Sequence, residues 1–368
     1  MKRFHCQCGA QLFFENHRCL KCGLDVGFDS QLMTMVPVDG EHAVYCGNWS
    51  DHGVCNWLRP RDNSNHLCAG CQFNRTIPDL SLPNNLQYWN ALEQAKKRLL
   101  FALMTLGLPL QNGWCEPNGG LLFDFLDDER SKPEHYGGNF VTSGFGSGVI
   151  TLNVLEADDV ARATMQNEML EPYRTLLGHF RHESGHYYWS LISEDAEISQ
   201  AFAEIFGDLS QDYAGTLERY YENGPPADWQ DSYISAYATA HPLEDWAETW
   251  GHYLHMLDAL ETAHAHQLLK EDGGAMSMNE RIAAWQEVSV MLNEMNRSVG
   301  RSDAYPFTIG AGVARKLELV DRAMAYLRRP QTSWAAALRP DEYFGPNPGG
   351  SRLDRGGSPR VCSSAHRP

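Results

Sequence analysis

The spacing of apolar residues predicts a chain that is mainly helical after its first eighty residues. Over residues 88–103 the apolar side chains recur at helical spacing, and we expect this stripe to be core. The basic residues Lys96, Lys97 and Arg98 lie off the stripe, so we place them toward solvent. A second long helix is expected over residues 172–190, with Pro172 in its first turn.

Strand patterns are fewer and shorter. Leu121–Leu126 has the unbroken apolar run of a buried strand, and Val149–Leu155 has the pattern of a short strand after a glycine-rich turn region at Tyr136–Gly148. The glycines fit an exposed edge strand that pairs with a bound peptide, although an ordinary hairpin uses them equally well. The patterns together predict an α+β fold class, mostly helical with a small β-sheet.

Further helical patterns cover residues 276–328. Their expected core stripe consists of Trp285, Val288, Leu292 and Met295. Residues 329–368 are rich in Gly, Pro, Ser and Arg without periodicity, which predicts a disordered tail. Cys362 in this tail is expected to be a free thiol.

Length and charge narrow the classes of function. A chain of 368 residues with 43% apolar residues is long enough for two or three globular units. The formal net charge of -17 argues against nucleic acid and against an anionic membrane surface as partners. The N-terminus lacks the apolar run of a secretory signal, and the longest apolar run, Leu99–Leu110, is too short to span a bilayer. We therefore expect a soluble cytoplasmic protein.

The first cysteines have the spacing of a zinc ribbon. Cys6-x-Cys8 and Cys19-x-x-Cys22 form two tight knuckles that can present four thiolates to one ion. A segment this small buries too little apolar surface to fold alone, so the metal would supply folding free energy on the order of 10 kcal/mol. We predict a ribbon over residues 1–30.

Four more cysteines predict a second structural zinc module over residues 31–80. They are Cys46, Cys55, Cys68 and Cys71. The first pair is irregularly spaced, so His42, His52 and His66 are possible substitutes, and a set of buried free thiols is the alternative. Because eight of the ten cysteines lie in these two metal-like sets, we expect a reducing compartment. Pro78–Pro83 marks the boundary to a main domain at 81–328.

The main domain contains the motif His182-Glu183-Ser184-Gly185-His186. Residues four apart lie on one face of a helix, so His182 and His186 are spaced to bind one zinc ion. Glu183 points aside and is placed to take a proton from a water on that metal. The alternative is two surface histidines beside a salt-bridging glutamate. Gly185 inside a helix is expected where another backbone or a substrate comes close.

A catalytic zinc needs a third protein ligand, and two segments offer one. In the first, Gln200 occupies the position where thermolysin-like enzymes have their acidic ligand, and Gln binds zinc poorly. Glu204 and Asp208 remain candidates there, with Asp208 as a rival ligand or as an acceptor for a histidine N–H.

The second segment, His241–Trp250, predicts a helix whose inward face carries Glu244 and Glu248. Buried carboxylates are normally paired or bound to metal. We predict Glu244 as the third ligand and Glu248 as its supporting partner. The alternative for Glu244 is a salt bridge to Arg181 or another basic residue.

Several motifs in combination resemble the bacterial zinc-ribbon metallopeptidases, which are gluzincin-like enzymes of the HExxH type. They are Cys-x-Cys-Gly near the N-terminus, Val54-Cys55-Asn56-Trp57, Asn74-Arg75-Thr76-Ile77-Pro78-Asp79, the HExxH helix, Phe206-Gly207-Asp208 and His241–Thr249. The resemblance covers about residues 1 to 328 and implies a zincin-like peptidase fold with one catalytic zinc. The last motif is also similar to the glutamate-bearing helix of the anthrax lethal factor type. In that type a tyrosine precedes the ligand by seven residues, which corresponds to Tyr237 here, with Tyr233 as the alternative.

The resulting hypothesis is a zinc metallopeptidase acting on a peptide or protein substrate, with Glu183 as general base and Tyr237 as a hydrogen-bond donor to the oxyanion. The N-terminal zinc modules would recruit a substrate or a protein partner. The alternatives are a catalytically idle zinc-binding scaffold and an amidase acting on a non-protein amide. His179, His252 and His255 are interpreted as packed or solvated residues rather than as site residues.

Overall fold

The computed structural model describes residues 2–127, 141–168 and 175–329. The described chain forms two compact units. Among the described residues, one contains 3–106, 110–127 and 141–159, and the other contains residue 2, 107–109, 160–168 and 175–329. The expected α+β class is confirmed, with a zinc-ribbon region followed by a mostly helical region. Pro172, the tail and Cys362 lie outside the described residues.

Three short antiparallel strand pairs form the sheets of the cysteine-rich part of the first unit. They pair β1 (Phe4–His5) with β2 (Gln11–Leu12), β3 (Val26–Asp29) with β4 (Thr34–Pro37), and β5 (Ala43–Tyr45) with β6 (Leu58–Pro60), while helix α1 spans Gly47–His52. The Tyr45 hydroxyl shares its one proton between the backbone carbonyls of His17 (2.7 Å) and Val26 (3.0 Å). Through this side chain β5 is joined to the ribbon.

A four-stranded sheet completes the strands of this unit. It is ordered β7 (Asn74–Thr76), β8 (Leu122–Leu126), β10 (Val149–Asn153) and β9 (Gly144–Gly146). The predicted strands at Leu121–Leu126 and Val149–Leu155 are therefore present, although β10 ends at Asn153. β10 lies between β8 and β9, so the edge-strand interpretation is wrong and the hairpin alternative is right. Much of the predicted turn region lies outside the described residues.

Helix α2 (Asn85–Thr105) buries the predicted apolar stripe but also two residues that we had placed in solvent. Lys96 is 0% exposed and Lys97 is 3% exposed, so the prediction for these two side chains is wrong. The reason is that polar groups lie on this side of the helix: Lys96 Nζ bonds to Glu93 Oε1 at 2.9 Å, and Lys97 Nζ donates to Asn56 Oδ1 at 3.1 Å. Arg98 remains 36% exposed.

Helices dominate the second unit. They are α3 (Asp159–Glu168), α4 (Leu176–Ile192), α5 (Ala196–Ile205), α6 (Tyr213–Asn223), α7 (Pro242–Ala265), α8 (Met278–Ser298) and α9 (Ala311–Leu327). Helix α4 begins where the Thr175 hydroxyl accepts the Gly178 N–H at 2.9 Å, a standard N-cap. Helix α7 packs against α4, α8 and α9 and forms the centre of the unit. None of the described helices is long and apolar enough to cross a membrane.

Helix α8 is buried over only part of its predicted stripe. Trp285 and Val288 are buried, but Leu292 is 37% exposed and Met295 is 62% exposed, so the core prediction fails for these two residues. A periodic apolar stripe identifies one face of a helix and does not tell whether another element covers that face along its whole length.

Helices α4 and α7 approach each other most closely at Gly185. A Cβ atom on this residue would lie 2.9 Å from Ala247 Cα and 3.1 Å from Trp250 Cβ. The indole N–H groups of α7 complete the contact: Trp246 donates to the Gly185 carbonyl at 2.9 Å, and Trp250 donates to Ser184 Oγ at 3.0 Å. The expectation of a close backbone at Gly185 is confirmed.

We expect Gly185→Ala to lower the free energy of unfolding by about 1–3 kcal/mol, because the new methyl group overpacks a rigid helix crossing. Gly251→Ala is the matched control. Its Cβ would lie 3.5 Å from the His182 backbone nitrogen, which is ordinary van der Waals contact, and Ala favours the helix. Urea unfolding of both variants checks this, and equal stabilities would contradict it.

Candidate metal centres

The four ribbon cysteines come together at the tips of two turns. One sulfur atom from each of Cys6, Cys8, Cys19 and Cys22 lies within 4.8 Å of the other three. The Cys6 and Cys22 sulfurs are 3.6 Å apart, and those of Cys8 and Cys19 are 3.7 Å apart. Four convergent sulfurs are the donor set of a structural zinc site.

Positive φ angles at two glycines shape these knuckles. Gly9 (φ 79°) and Gly23 (φ 74°) donate their N–H groups to the Cys6 and Cys19 carbonyls at 2.8 and 2.9 Å. Such backbone angles are readily adopted only by glycine. Backbone N–H groups, first that of Cys22, lower the pKa of Cys19 to about 6, so this thiol ionises readily.

The second cysteine set is completely buried. Cys46, Cys55, Cys68 and Cys71 are each 0% exposed, and their sulfurs lie within 4.8 Å of one another. Backbone N–H groups point at the sulfurs: Trp57 donates to Cys55 at 3.4 Å, and Cys68 donates to Cys46 at 3.3 Å. This arrangement is that of a tetrathiolate site and differs from scattered core thiols.

The histidines considered as substitutes are engaged elsewhere. His42 Nδ1 lies 2.9 Å from Asp39, and His66 Nε2 lies 3.3 Å from Asp51. His52 packs with its ring against Trp89. The four cysteines therefore form the second donor set without a histidine.

The third donor set joins helix α4 to the first turn of helix α7. His182 Nε2 and His186 Nε2 are 3.2 Å apart, and His182 Nε2 is 3.1 Å from Glu244 Oε2. All three side chains are buried, and one donor atom of each lies within 4.8 Å of the others. Two imidazoles and a carboxylate are ligands that suit zinc and leave a fourth position open.

Two further side chains hold these donors in place. Glu248 Oε1 lies 2.7 Å from His182 Nδ1, so Nδ1 carries the proton that is donated to Glu248. This leaves Nε2 as the nitrogen that can bind a metal ion. Ser235 Oγ donates to the other oxygen of Glu248 at 2.6 Å. The Tyr213 hydroxyl donates to Glu244 Oε1 at 2.6 Å.

Ser235 and Tyr213 were missed by the sequence reasoning. Neither lies in a motif, and Tyr213 is separated from Glu244 by 31 positions. A weak signal was available, because Asp212 precedes Tyr213 as the N-cap residue of a helix that begins shortly before the ligand helix.

Glu183 is buried beside the three metal-ligand candidates, and its two carboxylate oxygens differ in their hydrogen bonding. Oε1 lies 3.1 Å from His179 Nε2, a contact that the interpretation of His179 as a packed or solvated residue did not include. Oε2 is buried and, within the described ranges, takes part in no hydrogen bond. A buried carboxylate oxygen without a donor fits a site that binds water or another polar ligand there.

The rival ligands lie apart from the donor set. Asp208 is exposed and accepts hydrogen bonds from the Ser210 N–H (2.8 Å) and hydroxyl (2.7 Å). Glu204 pairs with Gln200 at 3.0 Å. Arg181, the salt-bridge alternative for Glu244, instead pairs with Asp258.

The remaining predicted residues differ in their distance from the site. The Tyr237 ring centroid lies 6.0 Å from that of His182, on a 3₁₀ turn at Tyr237–Thr239. Tyr233 lies under the Lys316 ammonium at 3.9 Å and is packed away. His252 is bonded to the Tyr305 hydroxyl at 2.8 Å, as expected of a packed residue.

The charges of the donor set depend on one another. Burial opposes ionisation of Glu244 and Glu248, but the facing histidines lower the pKa of Glu244 well below its ordinary range and that of Glu248 to about 2. Burial also opposes protonation of His182, yet its bonds to the two glutamates raise its pKa well above the usual value. A metal cation at this position has to displace that proton, so its binding weakens as the pH falls.

We expect Tyr213→Phe to weaken zinc binding at His182, His186 and Glu244 by about 10–100-fold, because Glu244 loses the donor that orients its carboxylate. Tyr221→Phe, on the same helix, is the control, since its side chain is 51% exposed whereas Glu244 is buried and accepts the Tyr213 hydroxyl. Competition with a chelator of known affinity, in protein whose cysteine sites are filled, measures the change. Equal affinities in the two variants would exclude this role for Tyr213.

Comparisons with known proteins agree with this geometry. Residues 3–82 match a family model described as "zinc-ribbon domain", and residues 85–323 match a second family model. Uncharacterized proteins of Mycobacterium tuberculosis and Mycobacterium bovis are 41% identical over 330 residues, covering 87% of this chain and 94% of theirs. No solved structure matches the chain significantly. Since the second model spans well over half of the chain, the protein belongs to the family described as "Putative zinc-binding metallo-peptidase".

Proposed function

We propose that this protein is a zinc-dependent metallopeptidase that hydrolyses peptide bonds. The observation that carries the proposal is Glu183 Oε2, which is buried beside the converging ligand atoms of His182, His186 and Glu244 and has no hydrogen-bond partner among the described residues. A general base has to reach a water molecule while its other oxygen is held in position. Glu183 meets both conditions because His179 occupies Oε1.

His182, His186 and Glu244 would hold the zinc ion. When bound, zinc supplies a Lewis acid that activates water and polarises the amide carbonyl. Glu183 Oε2 takes the proton from the attacking water and returns it to the leaving amine. Glu248 and Ser235 keep the proton of His182 on Nδ1 throughout.

We assign Tyr237 as the donor to the oxyanion. Its ring lies beside His182, whereas the hydroxyl of Tyr213 is committed to Glu244 and Tyr233 is packed under Lys316. A donor directed at the position where negative charge develops is worth about 10²–10³-fold in rate.

The N-terminal zinc modules are proposed to recruit a protein substrate or partner to this site. Two apolar side chains on the ribbon support an interaction role, since Phe13 is 63% exposed and Leu20 is 94% exposed. The eight cysteines of the two modules are unpaired and arranged for metal, and we propose a reducing, cytoplasmic location on this ground, although Cys115 outside the modules is disulfide-bonded.

Elemental analysis tests the metal assignment first. We expect three zinc ions per chain in the unaltered protein and two in the His182→Ala, His186→Ala double variant. The two cysteine sites serve as an internal control, because their ligands are unchanged. Two zinc ions in both proteins would leave a scaffold with an idle HExxH helix as the function.

Glu183→Gln tests the chemistry separately from the metal. The amide keeps the size of the side chain but cannot accept the proton, so we expect unchanged zinc content and a rate lower by about 10²–10⁴-fold. Cleavage of a peptide library followed by mass spectrometry gives the rate, with exposed Glu287→Gln as the control. An active Glu183→Gln variant would remove Glu183 from the role of base, and zinc without any peptide cleavage would favour a non-protein amide.

A further inference from the structure

Lys97 is a buried cation without a carboxylate partner. Its side chain is almost completely enclosed, and its ammonium donates to Asn56 Oδ1 at 3.1 Å. In the described part of the chain no Asp or Glu oxygen lies within the 4.0 Å of an ion pair with it. Burying an ammonium group is strongly unfavourable unless an anion compensates it.

The neighbouring lysine is different. Lys96 Nζ lies 2.9 Å from Glu93 Oε1 and also donates to Asn74. Lys96 and Glu93 are both completely buried, and their charges cancel. The positive charge left over on this face of α2 is that of Lys97.

The second cysteine site lies on the same side of α2 as Lys97. Asn56, which accepts the Lys97 hydrogen bond, directly follows Cys55 in the chain. Glu93 and Lys97 are four residues apart on α2 and therefore lie on the same face of this helix. Cys71 Sγ, which belongs to the second cysteine site, lies 3.9 Å from Glu93 Oε2.

A zinc ion held by four thiolates carries two net negative charges. In the ribbon Cys8 and Cys22 are exposed, so water can solvate that charge. The four cysteines of the second site are fully buried, and solvation there has to come from the protein. The N–H groups of Trp57 and Cys68 supply part of it, but only as dipoles.

We propose that Lys97 is the counter-ion of the buried four-cysteine zinc centre, so that this centre and helix α2 form one metal-dependent unit. Cys46–Cys71 lie in the region that matches the zinc-ribbon model, whereas α2 lies in the region that matches the metallo-peptidase model. Zinc in the N-terminal module thereby stabilises the first helix of the following region. This inference is independent of whether the histidine site hydrolyses peptides.

The proposal predicts that the effect of Lys97→Met on stability differs in sign between the zinc-bound and the zinc-free protein. A role of Lys97 in packing alone does not predict this difference. With zinc bound, Lys97→Met leaves two buried negative charges without their counter-ion, so the variant is less stable than the unaltered chain. With the metal removed and the thiols reduced and protonated, the same change removes an unpaired buried cation, and the variant is as stable or more stable.

The experiment uses the full chain with three substitutions. Lys97→Met removes the charge, and Lys97→Arg keeps it. Arg98→Met is the matched control, because the adjacent Arg98 pairs with Glu15 instead of facing the buried cysteines. Thermal unfolding is recorded with zinc and after zinc removal under reducing conditions, and zinc transfer to a chromogenic chelator is followed over time.

We expect Lys97→Met to speed zinc release from the buried four-cysteine site by about 10–100-fold and to leave release from the ribbon and from the histidine site unchanged. Its Tm should fall with zinc and not without it, while Lys97→Arg and Arg98→Met release zinc at nearly the original rate. Unaltered release, or an equal fall in Tm with and without zinc, would overturn the proposal.

If Lys97→Met does not fold, Lys97→Gln is measured in its place, since it can still donate to Asn56 but carries no charge. Failure of both neutral variants beside a folded, zinc-retaining Lys97→Arg supports the need for charge. Failure of Lys97→Arg as well would show that the shape of lysine matters, and this would also overturn the proposal.

Discussion

The crossing of α4 and α7 at Gly185 is the contact on which the candidate site depends. Without a side chain at Gly185, Ala247 approaches the α4 backbone, and the first turn of α7 brings Glu244 to the two histidines. Indole N–H groups of α7 bond across the same interface, so the separation of the helices is set by hydrogen bonds as well as by packing. Donor atoms about 3 Å apart on separate helices require such a fixed separation.

Buried charge is handled in the same way in both units. In the helical unit each buried carboxylate faces a cation or a donor: Glu244 faces the histidines and Tyr213, and Asp245 pairs with Lys316 at 2.6 Å. In the other unit Lys96 pairs with Glu93, and Lys97 donates to Asn56, the residue after Cys55. Charges placed in a core are stable only when they are compensated. Metal sites and ion pairs therefore occur side by side in this protein.

Local sequence patterns were sufficient to predict the helices and strands and the placement of the HExxH residues on one helix face. The spacing of His182 and His186 places them on one face of any helix, and Cys-x-x-Cys places two sulfurs at one turn whatever surrounds it. Glu244 was inferred from a buried carboxylate on an apolar helix face, which is again a local pattern. Tyr213, Ser235 and the role of His179 were not predicted, because their partners come from elements whose relative positions no local pattern contains.

Lys96 and Lys97 of α2 show most clearly what the sequence alone could not predict. By itself the sequence determined the α+β class, the helix spanning residues 88–103, the two cysteine sets and the HExxH face, since each follows from residues close together in the chain. Only the tertiary structure decided that Lys96 and Lys97 are buried and that Leu292 and Met295 are exposed. The physical reason is that burial depends on what covers a face, and for a charged side chain on whether an opposite charge or a polar acceptor from a distant segment meets it.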